Sequence, residues 1–471
     1  MVSFMKGCVI WAMKETVTSM RRGLKNRHLQ MISLGGIIGS GYFLGTGYVL
    51  EEAGPAAVLA YLLGGLIVLA VMLSLAELSV WKPVSGSFVT YARDYISPTW
   101  ACGVGWAYWL NWMAYVPSEM IAAGIIMNHF APIVSQLWWA VFFGLLVTVI
   151  NLFHVDKFGE TEFWLAIVKI LALVVFSAVA VLIIAGVFGG DGLQEARTIV
   201  SSGGNFMPKG PWAVILTMVI VLVNFQGTEI IGMAAGECKD PEKSIPIAVR
   251  NVTWRIIALY IIPISLLISV LPWQQASLEE SVFAAALESH GLSTLAAALA
   301  FVVLTAAISC SNSGLYSSAR ALYALAKMDM APSFLGQLSA KGMPRNSVLV
   351  SVCASWLVIL LYTFNPDSAV YTYLLAVSGF TGAIAWISIC WSQYRFRRRM
   401  IAQGKEDSLR YKTPFFPYVT LFGIWSQVFC LVVTAFTPEL RQAFYAGIPM
   451  LVLPMIWYRL RAKAKAHLAK G

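Results

Sequence analysis

The chain has 471 residues, of which 59% are hydrophobic and 12% charged, and its mean hydropathy is +0.73. Water-soluble domains carry about 25% charged residues, so a soluble globular protein is excluded and lipid is the solvent. The net charge of +10 then reads as membrane topology beside anionic lipid, with no nucleic-acid surface.

Residues 1–26 hold "GCVIWAM", apolar but too short to cross a bilayer, and the start of the basic stretch "KETVTSMRRGLKNRH". They read as a cytoplasmic tail without a cleavable signal peptide, starting at Met1 or Met13. Twelve apolar runs long enough to span follow, at about 29–50, 54–80, 101–127, 135–154, 161–187, 211–236, 253–272, 292–326, 345–364, 371–394, 414–436 and 441–460. No soluble domain fits between them, the longest connections lying near 188–210 and 395–413. The expectation is an all-α integral membrane fold with one transmembrane domain over 27–460 and a tail at 461–471.

The first span contains "SLGGIIGSGYFLGTG" (33–47), with six glycines in fifteen residues. Glycine costs about 1 kcal/mol in a helix interior. Its use here fits a helix that opens, exposing N–H groups that attract a carboxylate and C=O groups that attract an ammonium. The alternative is close helix packing through Gly35 and Gly39 or Gly36 and Ser40. "PVSGSFVTYARDY" (83–95) reads as a short helix on the inner face and lacks the Gly-Lys-Ser/Thr ending of a phosphate loop.

The third span places Glu119 near its middle, two residues after Pro117. A mid-span carboxylate is costly unless paired. It can face a cationic ligand group, bond a nearby Tyr or Trp, or be protonated. The fifth span carries Lys169, about two turns from Glu162 and too deep to snorkel. Burial disfavours the charged form of a lysine, which suits a group that gains and loses a proton. The alternative is a permanent cation paired with helix-end carbonyls of the first span or with Ser309 or Ser313 of the eighth.

The sixth span, "VILTMVIVLVNFQGTEIIGMAAGE", has Asn224, Phe225, Gln226, Gly227, Thr228 and Glu229 at its middle. Such polar residues face a cavity or support interrupted backbone. Glu229 can neutralise a ligand charge, hold a proton or pin the broken helix. Glu237, two turns later, belongs with a cytoplasmic gate. Two interrupted spans five apart suit two inverted five-helix repeats, about 27–187 and 211–394, with peripheral helices over about 414–460.

Orientation follows from the 33 Lys and Arg residues. With both termini inside, only Arg197, Lys209 and Arg441 fall outside and Lys169 within a span, as basic retention in the cytoplasm requires. Arg395, Arg397, Arg398 and Arg399 read as a stop after the tenth span. The seven cysteines form no CxxC and the five histidines no ligand spacing, and neither HExxH nor GxSxG occurs. No metal, cofactor or enzyme chemistry is implied.

The stretches "GLKNRHLQMISLGGIIGSGYFLGTG", "AGPAAVLAYLLGG", "PVSGSFVTYA", "FWLAIVKI", "NFQGTEIIGMAAGECKDPEKSIP" and "SNSGLYSSARALYALA" occur in that order, extending to "FRRRMIAQGK". Over residues 20–460 the chain resembles a bacterial amino-acid permease, in the amino acid transporter family of the amino acid–polyamine–organocation superfamily. The resemblance implies a leucine-transporter-type fold in the cytoplasmic membrane and uptake of amino acids with protons. It implies that Gly39, Ser40 and Gly41 hold the substrate carboxylate. Asn224, Phe225 and Gln226 would offer carbonyls to the amine beside Gly227 and Glu229, with Phe225 as the gating aromatic. Glu119 would line the side-chain end of the pocket, and Lys169, near Ser309 and Ser313, would stand where sodium-coupled relatives hold their ion. A sensor or an exchanger on the same fold is the alternative.

Overall fold

The computed structural model describes residues 31, 36–84, 86–153, 158–188, 191–201, 205–238, 241–277, 280–339, 342–364, 369–438 and 440–468. The tail over 1–26, both candidate start methionines, Gly35 and residues 469–471 lie outside the described residues. Among the described residues the chain is helical and has no strand.

After bends at 36–39, a π-helical turn (Gly41–Gly45) leads into α1 (Thr46–Ala53). Gly54, at φ +61°, and Pro55 turn the chain into α2 (Ala57–Trp81). A Cβ on Gly54 would stand 2.5 Å from Pro208, so both the backbone angle and the space require glycine. Then come α3 (Ser87–Tyr95), α4 (Pro98–Phe130), α5 (Gln136–Phe153), α6 (Phe158–Ile184) and α7 (Gly192–Ser201). The sixth expected span is α8 (Pro211–Leu216), α9 (Met218–Val223) and α10 (Ile230–Ala234), with residues 224–229 in turns between α9 and α10. The rest is α11 (Pro241–Ile256), α12 (Ile262–Val270), α13 (Val282–Glu288), α14 (Ser293–Lys327), α15 (Arg345–Phe364), α16 (Ala369–Ala402), α17 (Tyr418–Phe436) and α18 (Arg441–Leu468).

Eight helices are long and apolar enough to cross a membrane among the described residues. The first, Gly41–Trp81, fuses two expected spans across Gly54, while Gln136–Asn151 and Pro211–Val223 are apolar but short. The 33-residue α4 is not among the eight; its Trp, Tyr and Asn residues dilute its hydropathy. Yet α4 is the hub. It starts at the N-cap Ser97, whose hydroxyl accepts from the Trp100 N–H at 3.1 Å, with Pro98 in the first turn. It runs through Pro117 and packs on α14, α16, α5 and α18. Its residues are buried almost all round, as a central helix requires.

Helix α6 is two-faced. Glu162, Ala166, Lys169, Leu173, Phe176 and Ala180 follow i, i+4, i+7 spacing and are buried, while Trp164, Val168, Leu171, Val175 and Leu182 are exposed. Apolar residues on the outer face and a lysine on the inner one invert the soluble pattern and place lipid outside.

The arginine run after the tenth span is not uniform. Arg395, Arg398 and Arg399 are exposed, but Arg397 is buried. Its Nε and Nη2 donate to the two oxygens of Glu77 in α2, both at 2.7 Å. Glu77 also accepts from Gln393 Nε2 at 3.0 Å and from the Thr413 N–H at 2.7 Å. This fork ties α2, α16 and the segment before α17. Removing one member of a buried pair costs about 3–5 kcal/mol, because the other charge stays buried. Glu77→Ala is expected to lower the apparent melting temperature of the purified chain sharply. Glu77→Leu combined with Arg397→Met should recover part of that loss in the same melt.

Candidate functional site

The two irregular segments, 36–41 and 224–229, meet in the core. Gly227 adopts φ +102°, and a Cβ there would run into the Gly36 carbonyl. A Cβ on Gly41 would lie 2.9 Å from Asn224 Oδ1 and 3.3 Å from the Tyr115 hydroxyl. Glycine at these two positions lets the two stretches of backbone touch.

Each segment draws its hydrogen bonds from neighbouring helices. The Ser40 N–H donates to both carboxylate oxygens of Glu119 of α4, at 3.1 and 3.0 Å. Ser40 Oγ lies 3.3 Å from the Tyr371 hydroxyl of α16. The Gly36 carbonyl accepts from Cys310 Sγ at 3.0 Å. In the second segment the Asn224 carbonyl accepts from the Tyr260 hydroxyl at 2.8 Å, and Asn224 Nδ2 donates to the Tyr61 hydroxyl at 2.6 Å. The Phe225 carbonyl accepts from Thr228 Oγ1 at 3.2 Å. The buried Asn224 Oδ1 has no hydrogen-bond partner.

Glu229 ends the second segment. It accepts from the Tyr108 hydroxyl at 2.8 Å, from Trp386 Nε1 at 3.0 Å and from the Gly227 N–H at 3.0 Å. These bonds hold Glu229 to its own segment, to α4 and to α16. Gln226 turns towards α16, donating to the Ser378 carbonyl at 3.1 Å. Phe225 is fully buried, its ring 4.3 Å from that of Tyr260.

Lys169 is fully buried and interacts electrostatically with Glu162, Cys310 and Glu119. Ser309 Oγ donates to Glu162 Oε1, so the eighth expected span reaches the lysine through Glu162. Ser313 is buried on the same helix, α14. Glu237 pairs with Arg320 of α14, whose Nη2 donates to Oε2 at 2.8 Å, and accepts from the Tyr316 hydroxyl at 3.2 Å.

Gly39, Ser40, Gly41, Glu119 and Asn224 therefore lie together, with Lys169 and Ser309 linked to them through Glu162 and Cys310. Glu119 points its carboxylate at the Ser40 amide, at the end expected to hold a ligand carboxylate. Sequence reasoning missed Tyr61, Tyr108, Tyr115, Tyr260, Cys310, Tyr371 and Trp386 as partners, because in a membrane helix they look like ordinary packing. Glu162 carried a signal: it stands seven residues before Lys169, on the same helix face. Ser40, Glu119, Lys169, Asn224 and Phe225 are all fully buried, so the site is closed.

Residues 28–469 match the amino acid permease family model. Amino-acid permease RocE of Bacillus subtilis (strain 168) is 39% identical over 450 residues, covering 95% of this chain and 96% of that protein. Lysine-specific permease LysP of Escherichia coli (strain K12) is 38% identical over 464 residues, covering 94% of each. Among solved structures, the crystal structure of MhsT in complex with L-phenylalanine has a TM-score of 0.59 at 15% identity, covering 88% of this chain and 98% of that one.

The Glu229 contacts separate its roles. Glutamine can keep all three, its oxygen accepting from Gly227 and Trp386 while its amide donates to a rotated Tyr108 hydroxyl. Alanine leaves three buried donors without an acceptor, at about 1–3 kcal/mol each. Glu229→Gln is expected to melt near wild type and Glu229→Ala well below it. Equal melting of both variants with the wild type would remove the pinning role.

Proposed function

The chain belongs to the amino acid permease family, and from that premise we propose that it is a secondary active importer of amino acids, working by proton symport and alternating access in the cytoplasmic membrane. On this reading both termini are cytoplasmic. The twelve expected spans form two inverted five-helix repeats, 27–187 and 211–394, with two peripheral helices, and the first and sixth spans are broken.

One observation carries the site. Where the two irregular segments meet, an amide donor, the Ser40 N–H, which Glu119 holds, and a buried acceptor with no hydrogen-bond partner, Asn224 Oδ1, both lie beside Gly41. A donor and an acceptor so placed suit the carboxylate and ammonium of one α-carbon. Gly39, Ser40 and Gly41 then take the carboxylate. Asn224 and the carbonyls of Phe225 and Gln226 take the ammonium, Phe225 closes the site, and Gly227 and Glu229 hold the second break open. The substrate class is amino acids. The lysine-specific relative makes a cationic amino acid one candidate, but Glu119 lends it little weight, since its carboxylate is already committed to Ser40.

In the coupling step, water reaches Lys169 when the site opens outward and the amine takes up a proton. The charged form is held by Glu162 and Glu119, which favours the arrangement that binds substrate. Opening inward parts these groups and the proton leaves to the cytoplasm. Each proton moving inward through 100 mV supplies about 2.3 kcal/mol. At about 1.4 kcal/mol per tenfold that is nearly fifty-fold accumulation.

Two experiments test this reading. A branched side chain at residue 41 would collide with Asn224 and Tyr115, so Gly41→Val is expected to abolish uptake into proteoliposomes while the protein still inserts and folds. Normal uptake by that variant refutes the site. Lys169→Ala is expected to lose accumulation driven by an imposed pH gradient without sodium. Lys169→Arg should fail as well, because guanidinium keeps its proton. Wild-type uptake that requires sodium and ignores the pH gradient overturns the proton mechanism.

A further inference from the structure

Glu119 occupies the place proposed for the substrate. Its two oxygens straddle the Ser40 N–H at 3.1 and 3.0 Å, and the side chain is fully buried. Gly39 makes room for this arrangement. A Cβ there would overlap Glu119 Oε1 and stand 2.6 Å from the Tyr115 hydroxyl and 2.9 Å from Cys310 Sγ. A second carboxylate cannot share the amide, for want of space and because two like charges repel when withdrawn from water.

We infer that Glu119 is a tethered competitor for the substrate carboxylate, which must displace it from the Ser40 amide in order to bind. The inference rests on the assignment of Gly39, Ser40 and Gly41 to that carboxylate. It accounts for an expensive mid-span acid whose main hydrogen bond is to ligand-site backbone. With no substrate present, the exposed amide of a broken helix needs an acceptor, and no bulk water reaches it. Glu119 supplies one and leaves when a better one arrives.

Lys169 interacts electrostatically with Glu119 and with Glu162. Once a substrate carboxylate takes the Ser40 amide, the charge of Glu119 is free to interact with Lys169 and favour the charged form of the lysine. A substrate carboxylate on one side of Glu119 and a retained proton on the other become two ends of one exchange. Arrival of the amino acid holds the proton in place without direct contact between the two.

A tether that leaves the competent form one part in ten raises the apparent dissociation constant tenfold. Removing it reverses that factor. The experiment uses the purified full chain in detergent. Binding is read as thermal stabilisation by each of the twenty common L-amino acids, for the wild type, Glu119→Ala, Glu119→Gln and Gly41→Val. Glu119→Ala is expected to bind every amino acid that stabilises the wild type about tenfold more tightly. Glu119→Gln keeps an acceptor without the charge, so it folds even if the alanine variant does not, and a smaller gain is expected. A substrate-free measurement accompanies this: hydrogen exchange of the peptide carrying Ser40 should quicken in both Glu119 variants. Unchanged or weaker binding of the whole panel by both Glu119 variants overturns the competitor. So does a loss confined to lysine and arginine, which would put Glu119 against the substrate side chain. Wild-type binding by Gly41→Val, or no stabilisation of the wild type by any amino acid, overturns the site assignment itself.

Discussion

Unwound backbone in the middle of an apolar bundle must find its hydrogen bonds inside the protein, because no water is there to supply them. Nearly every polar contact at the centre follows from this. The Gly36 carbonyl takes a thiol from α14, the Ser40 amide a carboxylate from α4, and the Asn224 carbonyl a hydroxyl from the π-helical turn at Ile257–Ile261. Three elements thus reach in to hold two short stretches of chain. Glycine permits the breaks, and the partners on surrounding helices decide where they are tolerated.

Two of the buried carboxylates, Glu229 and Glu119, show the constraint met in different ways. Glu229 collects three donors, from its own break, from α4 and from α16. Moving it would strand all three, so it is fixed. Glu119 accepts from the Ser40 N–H with both oxygens, interacts also with the Tyr115 and Ser40 hydroxyls, and lies in the field of Lys169. Its donors belong to one residue of the first segment and to its own helix, whereas those of Glu229 come from three elements. On the inference drawn above, the same residue type is a rivet at one segment and a detachable plug at the other, and the difference lies in where its donors sit.

The irregular backbone at 36–39 and 224–229 falls where glycine and uncompensated polar residues cluster, and these are rare in the middle of a span. Direction was not legible from sequence. A carboxylate at mid-span can point anywhere around its helix, and Pro117, two residues before Glu119, blurred the local register. The packing of α4 beside the first irregular segment turns Glu119 to Ser40. Arg397 shows the same gap: a run of four basic residues reads as a solvated stop, whereas the helix turns one of them inward to Glu77. The count of spans also drifted for physical reasons. The sharp turn at Gly54 fuses two runs into one continuous helical stretch. The hub helix α4 buys its central packing with Trp, Tyr and Asn, which lower the hydropathy by which a span is recognised.

Lys169 gains its meaning from the helix that carries it. The outer face of α6 is Trp164, Val168, Leu171 and Val175, exposed and apolar, so the lysine cannot swing outward without entering hydrocarbon. Its inner face holds Glu162 two turns away, itself bonded to Ser309 of α14. An isolated buried charge costs several kcal/mol, and one carboxylate offsets much of that only while the geometry holds. The amine is thus bounded by lipid behind and carboxylates ahead. Under the proton coupling proposed above, its charge changes when α6, α14 and the first irregular segment move relative to one another. On that proposal the protonation of one side chain is tied to the movement of three elements, as proton-coupled transport needs if protons are not to leak through a resting site.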